Sequence, residues 1–397
     1  MAQKGIPPGQ TPANEKPGAR LSEIRVEIDA IDGEILKLLN KRANLSREVG
    51  QIKRKGAELV FKPLRERDLL DKLARENPGP LPDEHLTAIW REILSSSRAL
   101  QRPQNVAYLG PEGTFSHFAG VEYLGHAASF HPCRDILQIF EEVCQGSCEL
   151  GVVPLENSLQ GTVGVSLDLF LKYQVVIDSR ISHCRRATDD DFSSIKKVYS
   201  HPQPLAQCQG WLRANLPNAA LVPVESTAAA AKRAASDPES AAIGNCKLAD
   251  IHGLEILARR IEDEPGNWTR FVIIASENGK KDIQPRPSPV GHSGADKTSV
   301  LFTVPDKPGS LSNILELFAR HHVNMRKLES RPMRGQPWKY VFFADVESDL
   351  NDPEHGDLLE QLGHACNSFR ILGCYPTGPQ LDRMSIAEQS KNDDEGI

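Results

Sequence analysis

The stretch Asn267-Trp268-Thr269-Arg270-Phe271 decides how the centre of this chain is read. It follows a charged loop, Glu262-Asp263-Glu264-Pro265-Gly266, and opens an apolar run, Phe271-Val272-Ile273-Ile274-Ala275. That run reads as a buried strand. A hydroxyl and a guanidinium therefore stand at the mouth of a buried strand, where α/β proteins hold small polar ligands. A hydroxyl donates a hydrogen bond, and a guanidinium clamps a carboxylate through two parallel ones. From these five residues alone, an edge Thr and a surface Arg beside a turn would look the same.

Upstream, the same junction of strand, polar residues and helix recurs. Asn105-Val106-Ala107-Tyr108-Leu109 ends in Gly110-Pro111-Glu112-Gly113-Thr114-Phe115-Ser116-His117. Glycines after a strand let backbone approach a ligand, and the helix that follows offers free N–H groups to an anion. Gly151-Val152-Val153-Pro154-Leu155-Glu156-Asn157-Ser158 leads into Gly161-Thr162-Val163-Gly164. Val198-Tyr199-Ser200-His201-Pro202-Gln203-Pro204-Leu205-Ala206-Gln207-Cys208 is a third junction, and Val224-Glu225-Ser226-Thr227-Ala228 a fourth. Ala241-Ala242-Ile243-Gly244 is a weaker fifth. The pattern predicts two doubly wound lobes with a cleft between them, as in hinged ligand-binding folds.

Composition bounds the rest. A length of 397 residues suggests two to four domains at ~100–200 residues each. Hydrophobic residues make up 39% and charged residues 25%, enough for globular cores throughout. A net charge of −6 gives no reason to expect nucleic acid as a partner. No apolar run approaches the ~18 residues of a membrane span. Met1 to Arg20 is Pro- and Gly-rich without an apolar h-region, so it reads as a disordered tail and not a signal peptide. The eight cysteines form no Cys-x-x-Cys, and reduced cytoplasmic thiols are expected. The histidines show no metal-like grouping, so no metal site is expected.

The predicted units are a tail over 1–19, a helical domain over 20–102, an α/β domain over 105–276, a Pro- and Gly-rich linker over 277–297, a smaller α+β domain over 298–376 and a polar tail over 377–397. In the helical unit, Ser22 is placed to cap a helix from Glu23 to about Lys55. Ile24, Ile28, Ile31, Ile35, Leu38, Leu45, Val49 and Ile52 form one apolar stripe. Arg42 and Lys53 fall inside that stripe and need anionic partners. Arg25 lies at its edge and can serve another surface, such as a neighbouring subunit. A second helix begins near Pro63, and a third follows Pro82. Ser97 and Gln101 share the apolar side of the third.

The run Ile24-Arg25-x-x-Ile28-x-x-Ile31-Asp32, with Leu39-x-x-Arg42, Val49-Gly50-x-x-Lys53, Arg65-Glu66-Arg67 and Ser97-x-x-x-Gln101, resembles the all-α chorismate mutase domain. The resemblance implies a pericyclic rearrangement of chorismate to prephenate without cofactor, driven by positioning and charge stabilisation. It implies that Arg25 of a partner chain, Arg42 and Arg65 hold the two carboxylates. Lys53 and Gln101 would bond the ether oxygen, and Glu66 and Ser97 would orient the hydroxyl and ring. Lys62 departs from the pattern, standing where some members carry an acidic residue.

The set Gly-Pro-x-Gly-Thr-Phe-Ser, Pro-x-Glu-Asn-Ser, Ser-His-Pro-Gln-Pro-x-x-Gln-Cys, Glu-Ser-Thr and Thr-Arg-Phe resembles prephenate dehydratase, an α/β domain of two lobes like a periplasmic binding protein. That implies joint loss of carbon dioxide and hydroxide from prephenate to give phenylpyruvate. Thr269 would assist the leaving hydroxyl and Arg270 would bind a carboxylate, with Asn157, Thr162, Ser200 and Gln207 lining the site. No redox cofactor is expected, because no nucleotide fingerprint is present.

From Thr298 the chain reads as a split βαββαβ pattern. Pro308-Gly309-Ser310-Leu311 and Glu329-Ser330-Arg331-Pro332 make it similar to the ACT amino-acid-sensing domain. The implied effector is phenylalanine held between subunits, with Gly309, Ser310 and Leu311 in backbone contact and Glu329, Ser330 and Arg331 shaping the pocket. Together the three resemblances imply a cytoplasmic, multidomain enzyme taking chorismate to phenylpyruvate as a homodimer or dimer of dimers. Rival readings are a dehydratase preferring arogenate and a sensor with decayed catalysis.

Overall fold

A computed structural model describes residues 17–53, 63–158, 161–183, 192, 194–258, 261–263, 268–276, 296–333 and 339–376. Lys62, Asn267, most of the expected linker and both expected tails, apart from the backbone of 17–19, lie outside these. No helix among the described residues is long and apolar enough to cross a membrane.

The helical unit is α1 (Pro17–Lys53), α2 (Pro63–Glu76) and α3 (Asp83–Gln101). The first helix starts earlier than Ser22, which lies inside it. Ala19-Arg20-Leu21 contains only good helix formers, and Pro17 at the first position gives up an N–H that had no partner there. Arg20 adds an ion pair to Glu23 at 3.0 Å one turn on. Gly50 lets α1 and α3 meet closely: a Cβ there would lie 2.7 Å from Gln101 Cα. Most of the apolar stripe of α1 stays in water, with Leu38 66% and Ile52 73% exposed.

The α/β unit follows as β1 (Asn105–Leu109), α4 (Phe115–Leu124), β2 (Ser129–Cys133), α5 (Ile136–Gln145), β3 (Leu150–Asn157), β4 (Gly161–Thr162), α6 (Gly164–Lys172) and β5 (Val175–His183). A second lobe comprises β6 (Lys197–Ser200), α7 (Pro202–Gln207), α8 (Gln209–Asn215), β7 (Ala220–Pro223), α9 (Thr227–Ala234), β8 (Ser240–Ala242) and α10 (Lys247–His252). The chain then returns to the first lobe as β9 (Thr269–Ser276). The large sheet has the order β2-β1-β3-β9-β5, with β4 on β3, and the second lobe is a parallel β7-β6-β8 sheet. β9 runs antiparallel between β3 and β5, and Phe271–Ala275 is buried throughout. Coverage on both faces explains why the run is continuously apolar.

The last unit is β10 (Asp296–Thr303), α11 (Ser310–Arg320), β11 (Met325–Pro332), β12 (Tyr340–Val346), α12 (Gly356–Ala365) and β13 (Ser368–Pro376). Its antiparallel sheet has the order β11-β12-β10-β13. Alternation along β10 splits its side chains between two cores. Val300 and Phe302 join Ile314, Phe318 and Leu358 under the unit's own helices. Leu301, with Val341, Phe343, Leu372 and Tyr375, enters one apolar cluster with Phe140, Phe170, Val272 and Ile274 of the α/β unit. At this seam Gly373 lies so close to Ile177 that any Cβ would overlap its backbone. Arg370 donates to the carbonyls of Phe170 (3.0 Å), Tyr173 (3.3 Å) and Val175 (2.7 Å).

Candidate active sites and the domain seam

Strand pairing sorts the expected dehydratase residues. Asn157 opposes Thr269 and Glu156 opposes Arg270, while Thr162 on β4 opposes Glu156. Successive side chains leave opposite faces of a strand. Asn157 and Thr269 therefore share one face, and Glu156, Thr162 and Arg270 share the other. On the first face, Asn157 Nδ2 donates to Thr269 Oγ1 at 3.1 Å. Accepting that bond leaves the threonine's own proton available to a ligand. The backbone beside it is fixed by Ser158 N to Trp268 O at 2.8 Å and Trp268 N to Ser158 Oγ at 2.8 Å.

On the second face, residues of the C-terminal unit join Glu156 as partners. The Arg270 guanidinium is paired with Glu156 and stands 3.7 Å from Asp345. Lys327 Nζ donates to Thr162 Oγ1 at 2.7 Å and lies 3.2 Å from Glu156 and 3.5 Å from Glu329. Thr162 Oγ1 in turn donates to Glu329. Asp345, 2% exposed, accepts from Ser299 Oγ at 2.5 Å. Burial pushes the Asp345 carboxyl up, against the Ser299 bond and Arg270. Burial also pushes Glu156 up, but Arg270 and Lys327 outweigh it and hold that carboxyl below its ordinary value.

In the second lobe, Ser200 is fully buried and its hydroxyl donates to Ile243 O at 2.8 Å. Gln207 closes α7, and its carbonyl accepts from Asp263 N at 2.8 Å. It lines a cavity with Cys208, Asn245 and Glu262. The structure thus pairs Asn157 with Thr269, puts Thr162 and Arg270 on the seam, and holds Ser200 and Gln207 on the second lobe.

In the helical unit, Arg42 Nη1 donates to Ser97 Oγ and, at 3.4 Å, to Ile93 O. Ser97 Oγ donates to Ile93 O at 2.7 Å, and Gln101 Nε2 to Ser97 O at 3.2 Å. Burial pulls the Arg42 guanidinium below its ordinary value, and the carboxylate of Glu66 opposes the shift. Arg42 therefore has hydroxyl and carbonyl partners where a bonded carboxylate was expected. Glu66 is held by Arg98, both oxygens lying 2.5 Å from Nη1. Lys53 ends α1 one turn beyond Gly50, and Arg65 is exposed at the start of α2. Arg25 is also exposed, and the helix rise puts it about 25 Å from Arg42 along α1.

The expected effector residues fall in two places. Gly309 is the N-cap of α11 at φ 84°, a left-handed conformation suited to glycine, and Ser310 and Leu311 open that helix. Glu329 and Arg331 face the α/β unit, where Arg331 bonds Asp168 at 3.1 Å, while Ser330 points away and is exposed. Sequence reading passed over Glu156, Asp345, Lys327, Asp168 and Arg98. Alternation along β12 offered a signal for Asp345, since a charge on the strand face of Val341 and Phe343 demands a partner.

A helical domain, a two-lobed α/β domain and a βαββαβ domain define a multidomain α/β protein. Family models match in that order: chorismate mutase type II over residues 24–102, prephenate dehydratase over 106–279 and the ACT domain over 298–364. A bifunctional chorismate mutase/prephenate dehydratase of Aquifex aeolicus is 41% identical over 365 residues, covering 90% of this chain and 98% of the relative. Among solved structures, a prephenate dehydratase from Arthrobacter aurescens in complex with L-Phe is 31% identical, with a TM-score of 0.58 over 73% of this chain and 98% of that one. GqqA, described as a novel type of quorum-quenching acylase, is 27% identical with a TM-score of 0.59 over 70% of this chain and 99% of that one. The chain belongs to the bifunctional chorismate mutase/prephenate dehydratase family.

Proposed function

We propose that the helical domain rearranges chorismate to prephenate, that the two-lobed domain converts prephenate to phenylpyruvate, and that the ACT domain binds phenylalanine to regulate the second step. The observation that carries the dehydratase reading is the bond from Asn157 to Thr269. It orients the Thr269 hydroxyl as a donor toward developing hydroxide, a stabilisation that acts where charge grows. Ser200 and Gln207 serve the site from the second lobe in this reading, while Arg270 and Thr162, on the other face of the sheet, tie it to the ACT domain instead of meeting the substrate. In the mutase, Arg42 and Arg65 hold carboxylates, Lys53 and Gln101 meet the ether oxygen, and Glu66 and Ser97 orient the hydroxyl and ring.

A second copy covers α1 in this reading. The exposed stripe from Leu21 to Ile52 is too long to leave in water. Arg25 lies too far from Arg42 to serve the same site in one chain, so it crosses to the partner's. Gly309, Ser310, Leu311 and Ser330 frame the phenylalanine pocket between ACT domains in this reading, with Glu329 and Arg331 linking it to the α/β unit through Thr162 and Asp168. The described cysteines are free thiols, in keeping with a cytoplasmic enzyme. The test is chorismate supplied to the purified chain, with prephenate and phenylpyruvate followed together, with and without phenylalanine. Absence of phenylpyruvate would sink the two-step reading.

A further inference from the structure

Arg98 is 3% exposed and sits between two domains. One arm holds both oxygens of Glu66 at 2.5 Å. The other donates to the carbonyl of Leu124, the last residue of α4, in the dehydratase domain. The contact around it is tight. Gly125, at φ 78°, closes α4, and a Cβ there would lie 2.5 Å from Ser95 Cβ of α3. Ser95 Oγ accepts from Ala127 N at 3.2 Å, and Glu92 pairs with His126 at 3.0 Å. Arg91 of α3 feels the carboxylate of Glu122 on α4, and Glu122 is also paired with Lys247 of the second lobe.

The far end of α4 lies at the junction of the two lobes. Thr114 caps it directly after the Gly-Pro-x-Gly loop, and Phe118 packs with Ala228, Ala231 and Leu248 of the second lobe. One helix of ten residues thus touches both lobes at one end and the mutase helices at the other.

We infer that Arg98 is a positioning residue for the mutase reaction: it holds Glu66 in place by anchoring it to the C-terminus of α4, so the dehydratase domain sets part of the mutase geometry. The inference rests on the reading of Glu66 as a mutase-site residue. A fixed guanidinium fork spans two acceptors at set directions, which a lysine cannot reproduce. Small displacements of a positioned group are costly in rate.

The full-length chain is assayed as Arg98→Leu, Arg98→Lys, Glu66→Gln, the Arg98→Leu/Glu66→Gln double variant and Gly125→Ala, with kcat and KM measured for chorismate and for prephenate. Arg98→Leu is expected to lower mutase kcat/KM roughly 10- to 100-fold, with dehydratase kcat little changed, and Arg98→Lys to recover part of the loss. In the Glu66→Gln background Arg98→Leu should add little, because residues acting through one another are not additive. Gly125→Ala, which lies outside the mutase domain, should still lower mutase activity. If Arg98→Leu does not fold, Arg98→Lys and Gly125→Ala carry the test. Unchanged chorismate kinetics in the folded Arg98 and Gly125 variants, or full additivity with Glu66→Gln, overturns the inference while leaving Glu66 in the site. An unchanged mutase rate in Glu66→Gln alone instead removes the reading of Glu66, and the inference with it.

Discussion

Thr269 and Arg270 are chain neighbours that serve opposite sides of one sheet. Thr269 accepts from Asn157 on one face. Arg270 pairs with Glu156 and approaches Asp345 of the ACT domain on the other. A movement of the ACT domain that displaces the Arg270 backbone carries Thr269, the adjacent residue, with it.

Removing the donor should remove the chemistry. Thr269→Ala is expected to lower dehydratase kcat by ~10²-fold or more, as for other lost transition-state donors. Asn157→Asp should cost a similar amount for a different reason: a carboxylate draws the Thr269 proton toward itself. Mutase turnover is retained in both. Prephenate consumption with normal kcat in Asn157→Asp would rule out the orientation described above.

Gly50 permits the approach of α1 to Gln101. Gly50→Ala is expected to push the helices apart and to lower mutase kcat/KM by about 10-fold or more, leaving dehydratase kcat intact. A thermal melt would show whether the loss comes with global unfolding.

The Glu156 carboxyl titrates below its ordinary 4.5 in the folded chain, since Arg270 and Lys327 outweigh the burial that pushes it up. Its contribution to stability is full above 4.5 and is lost as pH falls through the lower folded value. Glu156→Gln should therefore flatten the acid side of the unfolding-midpoint curve below that pH. Asp345, pushed up by burial, acts in the opposite sense and remains in the variant. An unaltered acid limb in calorimetry would count against the paired Glu156.

Lys327 touches Thr162, Glu156 and Glu329 at once. Lys327→Met should shrink the effect of phenylalanine on the dehydratase rate while phenylalanine still binds. The ratio of rates with and without effector, beside a calorimetric titration, separates the two.

Ile31→Glu places a charge in the exposed stripe of α1. Chains that pair through this face should dissociate, and mutase activity should fall with dilution faster than in the parent. Sedimentation across a concentration series reads this directly.

Much of this organisation was legible in the residues. Apolar periodicity marked α1 and α3, and repeated strand-to-helix junctions marked the lobes. Pairing partners across the seam were not legible, because Arg270 meets Asp345 only through tertiary packing of segments far apart in sequence. The start of α1 was missed because a capping-type serine was read at Ser22, although nothing before it breaks the helix. Arg98 was missed because it reads as one more charge on a helix, and only its burial against Leu124 marks it out.

The apolar cluster that Leu301, Phe343 and Tyr375 share with Phe140 and Ile274 has a bearing on engineering. Deleting the ACT domain to make a feedback-free enzyme would strip one wall from the catalytic lobe's own interior. The remnant would present that interior to solvent and aggregate. Deregulation without collapse calls for substitutions at the rim of the seam, on β11 or at the entrance to α11, that leave the buried wall standing.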